Sequence, residues 1–291
     1  MFGDFMGDIK KGLVLEGGAL KGLFSCGVMD VLLENGIEFD AGIGISAGAA
    51  LGCNYKSKQI GRALRYNLKY AKDKRYHSFW SLRKTGDIYG ADFCYRLLPN
   101  ELDIFDSETY KNNPMKFYVG ATNINTGLCE FHECKTGDEL DMLWFRASAS
   151  IPIVSKPVMI DGVGYLDGGI DNSIPFEYLE SLGYNKNIII LTKPKGYRKK
   201  RIKHRILLKH FLKKMPKVKD KVMVRHLIYN KQMDDIDDRE NKGISLVIRP
   251  PKKLKIGTME KNRKKIQAVY DLGREEALKR LDEIKTFLNI K

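Results

Sequence analysis

The sequence lacks any apolar stretch approaching the roughly 20 residues that a membrane-spanning helix needs, so no such helix is predicted. Residues 1–11 contain acidic residues and no long apolar run, unlike a secretory signal peptide. Cysteine is also scarce. The five cysteines are scattered and form no CxxC pair, which is typical of reduced thiols and not of a disulfide framework. These absences predict a protein of the cytoplasm.

Two of the cysteines, Cys129 and Cys134, flank a short run that contains His132 and two acids. Such a group of side chains could ligate a metal ion. It also fits one strand of a β-hairpin, in which successive side chains point to opposite faces of the sheet. The hairpin is the interpretation we favour, so no metal site is predicted.

The positive charge of the chain is concentrated in one segment. The 291 residues include 51 Lys and Arg against 36 Asp and Glu, which gives a net charge of +15. Residues 193–225 hold fifteen of these cations and one acid, Asp220, so the rest of the chain is nearly neutral. We expect a local basic surface and no nucleic acid as a partner, because no nucleic-acid-reading motif accompanies the charge.

Short apolar runs alternate with helical patterns along the chain, which predicts an α/β fold with a central sheet. The predicted strands include 12–16, 39–45, 116–123, 127–133, 187–192 and 244–249, with a hairpin that turns at Asp161-Gly162. The predicted helices include 138–149 with Asp138 as N-cap, 175–182 with Ser173 as a candidate cap, and 262–288.

Ser46 lies in the pentapeptide Gly44–Gly48 (GISAG), between a predicted strand and a predicted helix. In that context G-x-S-x-G is typical of a nucleophile elbow, a tight turn with strained backbone angles at the serine. Gly44 and Gly48 allow neighbouring backbone to approach, and the dipole of the following helix favours a developing oxyanion. A strand-to-helix turn built from small residues, with no catalytic role, is the alternative.

A glycine-rich loop, Gly17–Gly22 (GGALKG), follows the first predicted strand. Its consecutive backbone N–H groups could bind a phosphate or a tetrahedral oxyanion, and a simple packing turn explains it equally well. The spacing matches neither a Walker loop nor G-x-G-x-x-G, which disfavours a nucleotide. Further along, Asp167 ends a short predicted strand and is followed by Gly168 and Gly169. It is either a turn residue or a carboxylate held in a site.

Most serine hydrolases use a histidine base, and this chain has five candidates: His77, His132, His204, His210 and His226. Ser46, Asp167 and His204 would give one triad order. Yet His204 lies within the basic segment, where a solvated histidine is expected. Direct proton transfer from Ser46 to Asp167 is therefore the more attractive mechanism. It requires partial burial of the carboxylate and a hydrogen bond to the serine.

Along the chain, the glycine-rich loop comes first, G-x-S-x-G second and Asp167-Gly168-Gly169 third. The three motifs in this chain order resemble those of the patatin-like phospholipase family. The segment 147–152 also resembles the small-residue stretch that precedes the aspartate in that family, and three later stretches, 191–197, 225–230 and 247–250, resemble a bacterial cytoplasmic branch. The resemblance implies a three-layer α/β/α sandwich with a mostly parallel central sheet. It implies a patatin-like catalytic core over residues 1–192, with residues 193–291 adding a basic amphipathic segment, a strand and a helix packed on that core.

The resemblance also implies the site and its chemistry. Family members hydrolyse acyl esters of lipids through an acyl-enzyme, without metal or cofactor. Ser46 would be the nucleophile and Asp167 the base of a Ser-Asp dyad. The N–H groups of Gly17, Gly18 and Ala19 would form the oxyanion hole, supported by the further motif residues Lys21, Gly22, Gly44, Gly48, Gly168 and Gly169. Ala19 and Lys21 depart from the family pattern, which often has glycine and arginine at these positions.

Two regions keep alternative interpretations. The aromatic residues between 60 and 111 fit either core packing or one wall of an acyl pocket. Residues 202–212 place apolar side chains near one face and cations around them, which suits either contact with an anionic membrane, such as the inner membrane face, or packing on the core. A catalytically weak patatin-fold protein that binds anionic membranes through residues 193–225 is therefore the alternative function.

Overall fold

The computed structural model describes residues 9–203 and 205–290, except for the side chains of residues 205 and 207. Eight strands form one sheet in the order β5-β6-β3-β2-β1-β7-β8, and β4 pairs with β3 beside this path. The strands are β1 (Lys11–Leu15), β2 (Ala41–Ile45), β3 (Lys116–Asn123), β4 (Cys129–Cys134), β5 (Val158–Ile160), β6 (Val163–Asp167), β7 (Lys186–Ile190) and β8 (Ser245–Ile248). Strands β3, β2, β1, β7 and β8, which are neighbours in this order, pair in parallel. Strands β4, β5 and β6 pair antiparallel.

Helices cover both faces of this sheet. They are α1 (Gly22–Glu34), α2 (Ala47–Lys56), α3 (Arg62–Tyr70), α4 (Phe79–Thr85), α5 (Ser107–Asn112), α6 (Glu139–Ser148), α7 (Phe176–Ser181), α8 (Arg205–Phe211), α9 (Pro216–Asn241), α10 (Arg263–Lys279) and α11 (Leu281–Phe287). A π-helix (Phe93–Leu102) and two single 3-10 turns (Ala19–Lys21 and Gly168–Ile170) complete the described elements.

The sheet has a separate apolar core on each face because successive strand residues point in opposite directions. Leu13 and Leu15 of β1 join a core with α1, α2, α6 and α10. Val14, between them, joins a second core with α7 and α9. The predicted three-layer α/β/α sandwich with a mostly parallel sheet is thereby confirmed.

Strands β2, β1 and β7 are parallel neighbours, so the loops that follow them meet at one edge of the sheet. Ligands of open α/β sheets bind at this carboxyl edge. Antiparallel β6 reaches the same edge, because Ala121 of β3 pairs with Asp167 and the preceding Gly120 pairs with Ile45 of β2. The register therefore brings the end of β6 beside the turn that follows β2.

Several predicted boundaries are confirmed and two are wrong. Asp138 caps α6 by accepting a hydrogen bond from the N–H of Asp141. Ser173 does not cap α7, because its hydroxyl donates to the carbonyl of Gly169 instead. The helix predicted over 262–288 is divided at Arg280 into α10 and α11. No described helix is long and apolar enough to span a bilayer.

The structure joins the region after residue 192 to the rest of the sheet. Strand β8 pairs in parallel with β7, and Ile266 of α10 lies in the same core as Leu23 of α1. The division into a core over residues 1–192 and a packed addition over 193–291 stays a prediction.

Candidate active site

Ser46 occupies a strained turn between β2 and α2. Its φ of 56° and ψ of −120° lie in a region that non-glycine residues rarely adopt. A Cβ at Gly44 would collide with the carbonyl of Gly48, and a Cβ at Gly48 would collide with the carbonyl of Leu15. The two flanking glycines therefore allow the tight packing of β2, α2 and β1 that holds this turn.

Ser148, at the end of α6, fixes the backbone of this turn. The N–H of Ser46 donates to the Ser148 hydroxyl at 2.9 Å, and that hydroxyl donates to the carbonyl of Gly120 at 2.6 Å. All three residues lie at the carboxyl edge of the sheet. Strain at functional residues persists where surrounding contacts fix the conformation, as these hydrogen bonds do.

Asp167 is the second predicted site residue, and it lies next to Ser46. Its carboxylate accepts a hydrogen bond of 2.8 Å from the N–H of Gly169. The Ser46 hydroxyl lies beside it as a second donor, which favours the charged form of the carboxyl. Burial raises the pKa of Asp167, although the positive charge of Arg225 and these two hydrogen bonds act in the opposite direction. The carboxyl group is thus a stronger base than a solvated aspartate.

The glycine-rich loop lies against the same turn. Gly17, Gly18 and Ala19 line a cavity together with Ser46 and Asp167. Among the described residues, none accepts a hydrogen bond from the N–H groups of these three loop residues. Ala19 has a φ of 50°, so the position where relatives often have glycine is conformationally strained here. The arrangement offers three backbone donors to an anion.

A buried glutamate supports the start of this loop. Glu16, at the end of β1, accepts hydrogen bonds from the N–H and hydroxyl of Thr192 and from the hydroxyl of Tyr229 at 2.7 Å. The Thr192 hydroxyl oxygen also lies 3.3 Å from the carbonyl oxygen of Gly17. The carboxylate thereby joins β1, the loop after β7 and helix α9.

Two cavities meet at Ser46 and share Ala19 and Ile151 in their walls. The first, which we call the apolar cavity, has a volume of about 110 Å³. Its walls come from α2, α3, the π-helix and α6, and they include four of the predicted aromatic side chains: Tyr66, Tyr76, Tyr89 and Tyr95. These tyrosines are also part of the core or packed on it, so the two interpretations of the aromatic region are compatible.

The second, which we call the cationic cavity, has a volume of about 380 Å³ and contains the carboxylates of Glu16 and Asp167. Its wall also contains five cations: Lys21, Lys193, Lys199, Arg225 and Lys253. Burial, followed by repulsion from Lys193 and Lys253, lowers the pKa of Lys21. The carboxylates and the loop donors are therefore surrounded by positive charge.

The described histidines do not line either cavity. His77 is fully buried between aromatic rings, and burial lowers its pKa to about 4, so it is neutral at physiological pH. His204, the candidate for a Ser-His-Asp triad, lies outside the described residues. Among the described residues, Asp167 is thus the candidate base beside Ser46.

One group of side chains has the composition of a metal site. The ligand atoms of His132, Cys134 and Asp141 lie within 4.8 Å of one another. The Asp141 carboxylate already accepts hydrogen bonds from the N–H groups of Thr136 and Gly137, and burial raises the pKa of the Cys134 thiol well above its usual value. These contacts favour a structural network around a protonated thiol.

Comparison with known proteins assigns the family. The family model described as patatin-like phospholipase matches residues 13–180, more than half of the chain, and these residues include Gly17, Ser46 and Asp167. The chain belongs to the patatin-like phospholipase family. A second family model, described as a domain of unknown function (DUF6363), matches residues 215–289, which hold α9, β8, α10 and α11.

Curated relatives of this patatin-like chain are distant. The uncharacterized protein YjjU of Escherichia coli is 27% identical over 62% of the chain and 52% of its own length. The lysophospholipase nte1 of Aspergillus oryzae is 27% identical over 59% of the chain and 11% of its own length. The probable lipid hydrolase 463L of Invertebrate iridescent virus 6 is 27% identical over 61% of the chain and 66% of its own length. The chain thus spans about half of the first relative and a small part of the second.

The motifs did not predict the cationic cavity or helix α9. Lys193, Lys199 and Arg225 belong to the segment interpreted as a basic surface, yet their side chains line the site. Helix α9 places Val218, Val222, Tyr229, Met233 and Ile236 in the core, at the three- and four-residue spacing of a helix face. That periodicity is visible in the sequence and could have revealed the helix that carries Arg225.

Proposed function

We propose that this patatin-like chain is a serine acyl-hydrolase that cleaves acyl esters of lipids through an acyl-enzyme on Ser46, with Asp167 as the base. The family and the relatives named as a lysophospholipase and a probable lipid hydrolase support lipid hydrolysis in general terms. The observation that carries the finer proposal is the contact between Ser46, on its strained turn, and the buried Asp167 carboxyl.

In the first half of the reaction, Asp167 accepts the proton of the Ser46 hydroxyl as its oxygen attacks the ester carbon. The tetrahedral intermediate then collapses, the bond to the alcohol oxygen breaks, and Asp167 returns the proton to the leaving alcohol. In the second half, Asp167 takes a proton from water, and the resulting oxygen nucleophile attacks the acyl-enzyme. The acid leaves, and the proton returns to Ser46.

The negative charge of each intermediate falls on the former carbonyl oxygen. The N–H groups of Gly17, Gly18 and Ala19, which have no acceptor among the described residues, are the donors proposed for it. The N-terminus of α2 and the Lys21 charge would add a favourable field. The raised pKa of Asp167 favours proton abstraction, because a carboxylate at its ordinary pKa is a weak base for a hydroxyl.

A substitution of the nucleophile tests this proposal. Ser46→Ala should reduce the hydrolysis of a p-nitrophenyl acyl ester by roughly 10³-fold or more, because it removes the atom that forms the acyl-enzyme. Ser181→Ala, at an exposed serine in α7, is the matched control and should retain wild-type rates. Thermal unfolding would establish that both variants are folded. Equal activity of Ser46→Ala and wild type would rule out Ser46 as the nucleophile.

The basic segment favours a second candidate function, peripheral binding to anionic membranes. Ile206 and Phe211 on α8 are 87% and 53% exposed, next to the cations Lys209 and Lys213. Exposed apolar side chains flanked by lysines suit the interface of an anionic bilayer. In the alternative function, the chain is catalytically weak, and its role is this contact with the cytoplasmic face of the inner membrane and not hydrolysis.

Co-sedimentation with vesicles tests the membrane proposal. The wild-type chain should bind vesicles that contain phosphatidylglycerol and release them at high salt, whereas Ile206→Asp and Phe211→Asp should bind several-fold more weakly. Leu278→Asp on α10, where the leucine is 53% exposed, is the matched control and should bind like wild type. Equal binding by all three variants would exclude α8 as the contact.

A further inference from the structure

The cationic cavity brings together charges that are distant in the sequence. Lys193 and Lys199 come from the loop after β7, and Arg225 comes from α9. All three line the cavity that contains Ser46, so part of the basic segment faces the site and not the outer surface.

The two carboxylates in this cavity already have partners. Glu16 accepts hydrogen bonds from Thr192 and Tyr229, and Asp167 is held by Ser46 and the N–H of Gly169. Five cations therefore face two occupied carboxylates. The wall has an excess of positive charge, which favours an additional anion.

Lys199 shows this excess most clearly. Its ammonium lies 4.3 Å from the centre of the Tyr229 ring, and no described group accepts a hydrogen bond from it. Burial, followed by repulsion from Arg225, lowers the pKa of Lys199 to about 7. Glu16 and Asp167 favour the protonated form of Lys199 but form no ion pair with it among the described contacts, so a bound anion beside this half-buried ammonium would stabilise it further.

The backbone around these cations is fixed in advance. The N–H of Lys199 donates to the side-chain oxygen of Asn230 at 2.7 Å, and the Asn230 amide donates back to the carbonyl of Lys199 at 3.2 Å. The Arg225 guanidinium donates to the carbonyl of Gly169 through Nε, and no described residue accepts a hydrogen bond from its remaining N–H groups, which could therefore bind another acceptor. A preorganised cationic wall binds an anion with little loss of conformational entropy.

We propose that Lys193, Lys199 and Arg225 form a subsite for one phosphate group in the alcohol half of the ester that Ser46 attacks. The inference rests on the proposed function. The acyl half would occupy the apolar cavity, and the ester bond would lie at Ser46, where the two cavities meet.

A pair of substrates with the same acyl chain tests the subsite. One is 1-acylglycerol, which is neutral, and the other is 1-acylglycerophosphoglycerol, whose phosphodiester keeps one negative charge across the working pH range. The ratio of kcat/KM for the anionic to the neutral ester should fall about 10- to 100-fold in Lys199→Met, which removes the charge but keeps the length of the side chain. Lys199→Arg should restore much of the ratio.

Lys200→Met is the matched control, since Lys200 is exposed and does not line the cavity. It should keep the wild-type ratio. If Lys199→Met lowers both kcat/KM values equally and leaves the ratio unchanged, Lys199 has only a structural role and the subsite is disproved. If the wild type cleaves neither ester, the proposed hydrolysis fails, and the binding measurement below still tests the subsite.

Binding is measured by calorimetry on Ser46→Ala, which should retain the lipid uncleaved. The anionic lysolipid, kept below its micelle-forming concentration, should bind to Ser46→Ala more tightly than inorganic phosphate does. The double variant Ser46→Ala with Lys199→Met should bind both ligands about tenfold or more weakly than Ser46→Ala alone. Tight binding of phosphate without binding of the lysolipid would assign the cavity to free phosphate and overturn the proposal. Equal lysolipid affinity with and without the Lys199 charge would overturn it as well.

The pH dependence provides a separate readout. The groups that face Lys199 are Lys193 and Tyr197 from its own loop, Glu16 after β1, Asp167 at the end of β6, and Arg225 and Tyr229 from α9. Because only the protonated ammonium attracts the phosphate, the anionic-to-neutral ratio should be highest below pH 7 and decrease as the pH rises past about 7. The ratio cancels the ionisation of Asp167, which both esters share. A ratio independent of pH in the wild type would contradict the role of Lys199.

Discussion

The apolar and cationic cavities lie on either side of Ser46, but they are built from different parts of the chain. The walls of the apolar cavity come from residues 19–151, inside the region that matches the family model. Four of the five cations of the other cavity lie after residue 180, beyond that match. Under the proposed function, the acyl half and the alcohol half of a substrate would be recognised by different regions of the chain around one reacting centre.

The largest effect is expected on kcat when the proposed base beside Ser46, where the two cavities meet, is removed. Asp167→Asn keeps the shape of the side chain but removes the base, so kcat should decrease by about 10³- to 10⁴-fold for neutral and anionic esters alike. Steady-state kinetics with both esters checks this, with thermal unfolding as the folding control. A decrease for only one ester would place Asp167 in substrate recognition and not in proton transfer.

The pH profile on a neutral ester should show the same base without any contribution from the cationic wall. Because burial raises the pKa of Asp167, the carboxyl becomes protonated at a higher pH than an ordinary aspartate. Activity should therefore be lost as the pH decreases through that raised pKa, by about 10² over two pH units below it. An acid limb at the usual pKa of a solvated aspartate would indicate another base.

The next effect is on the free energy of unfolding, through the hydrogen bond between Tyr229 and Glu16 in the wall of the cationic cavity. Tyr229→Phe removes the hydrogen bond of 2.7 Å to Glu16 and leaves that buried carboxylate less satisfied. The free energy of unfolding should decrease by about 1.5–3 kcal/mol, the usual range for a hydrogen bond to a charged group. Denaturant unfolding measures it. Tyr184→Phe, also buried but remote from Ser46, is the comparison variant, and an equal loss in both would remove any special role for Glu16.

The smallest effect is expected in the apolar cavity. Ala50 lines this cavity from α2, so Ala50→Leu fills part of it with a larger side chain. The ratio of kcat/KM for a long-chain ester to that for an acetyl ester should decrease about tenfold. The anionic-to-neutral ratio at fixed chain length should stay the same. A change in that second ratio instead would assign the alcohol half to this cavity.

The sequence predicted the parts of the site that local sterics determine. The glycines around Ser46 are recognisable because neighbouring backbone leaves no room for a Cβ at either position. The hairpin at Asp161-Gly162 is recognisable because both residues adopt a positive φ, which few residue types favour. The alternation of apolar runs likewise predicted the layers of the fold.

The parts that the sequence did not predict depend on long-range contacts. Glu16 meets Thr192 and Tyr229 across 176 and 213 residues, and Lys199 acquires its lowered pKa only when it is buried beside Arg225. The sequence predicts Ser173 as a helix cap, but the packing of the loop after β6 gives its hydroxyl another partner, the carbonyl of Gly169. Such pairings follow from the tertiary arrangement, which local patterns do not encode.

Covalent labelling of the folded wild-type chain by an alkyl fluorophosphonate, located by peptide mass spectrometry, tests the central claim most directly. We expect one phosphonylated residue, Ser46, with no labelling of Ser46→Ala and much slower labelling of Asp167→Asn. Modification of a different residue, or equal labelling rates in wild type and Asp167→Asn, would contradict the proposed Ser46–Asp167 dyad.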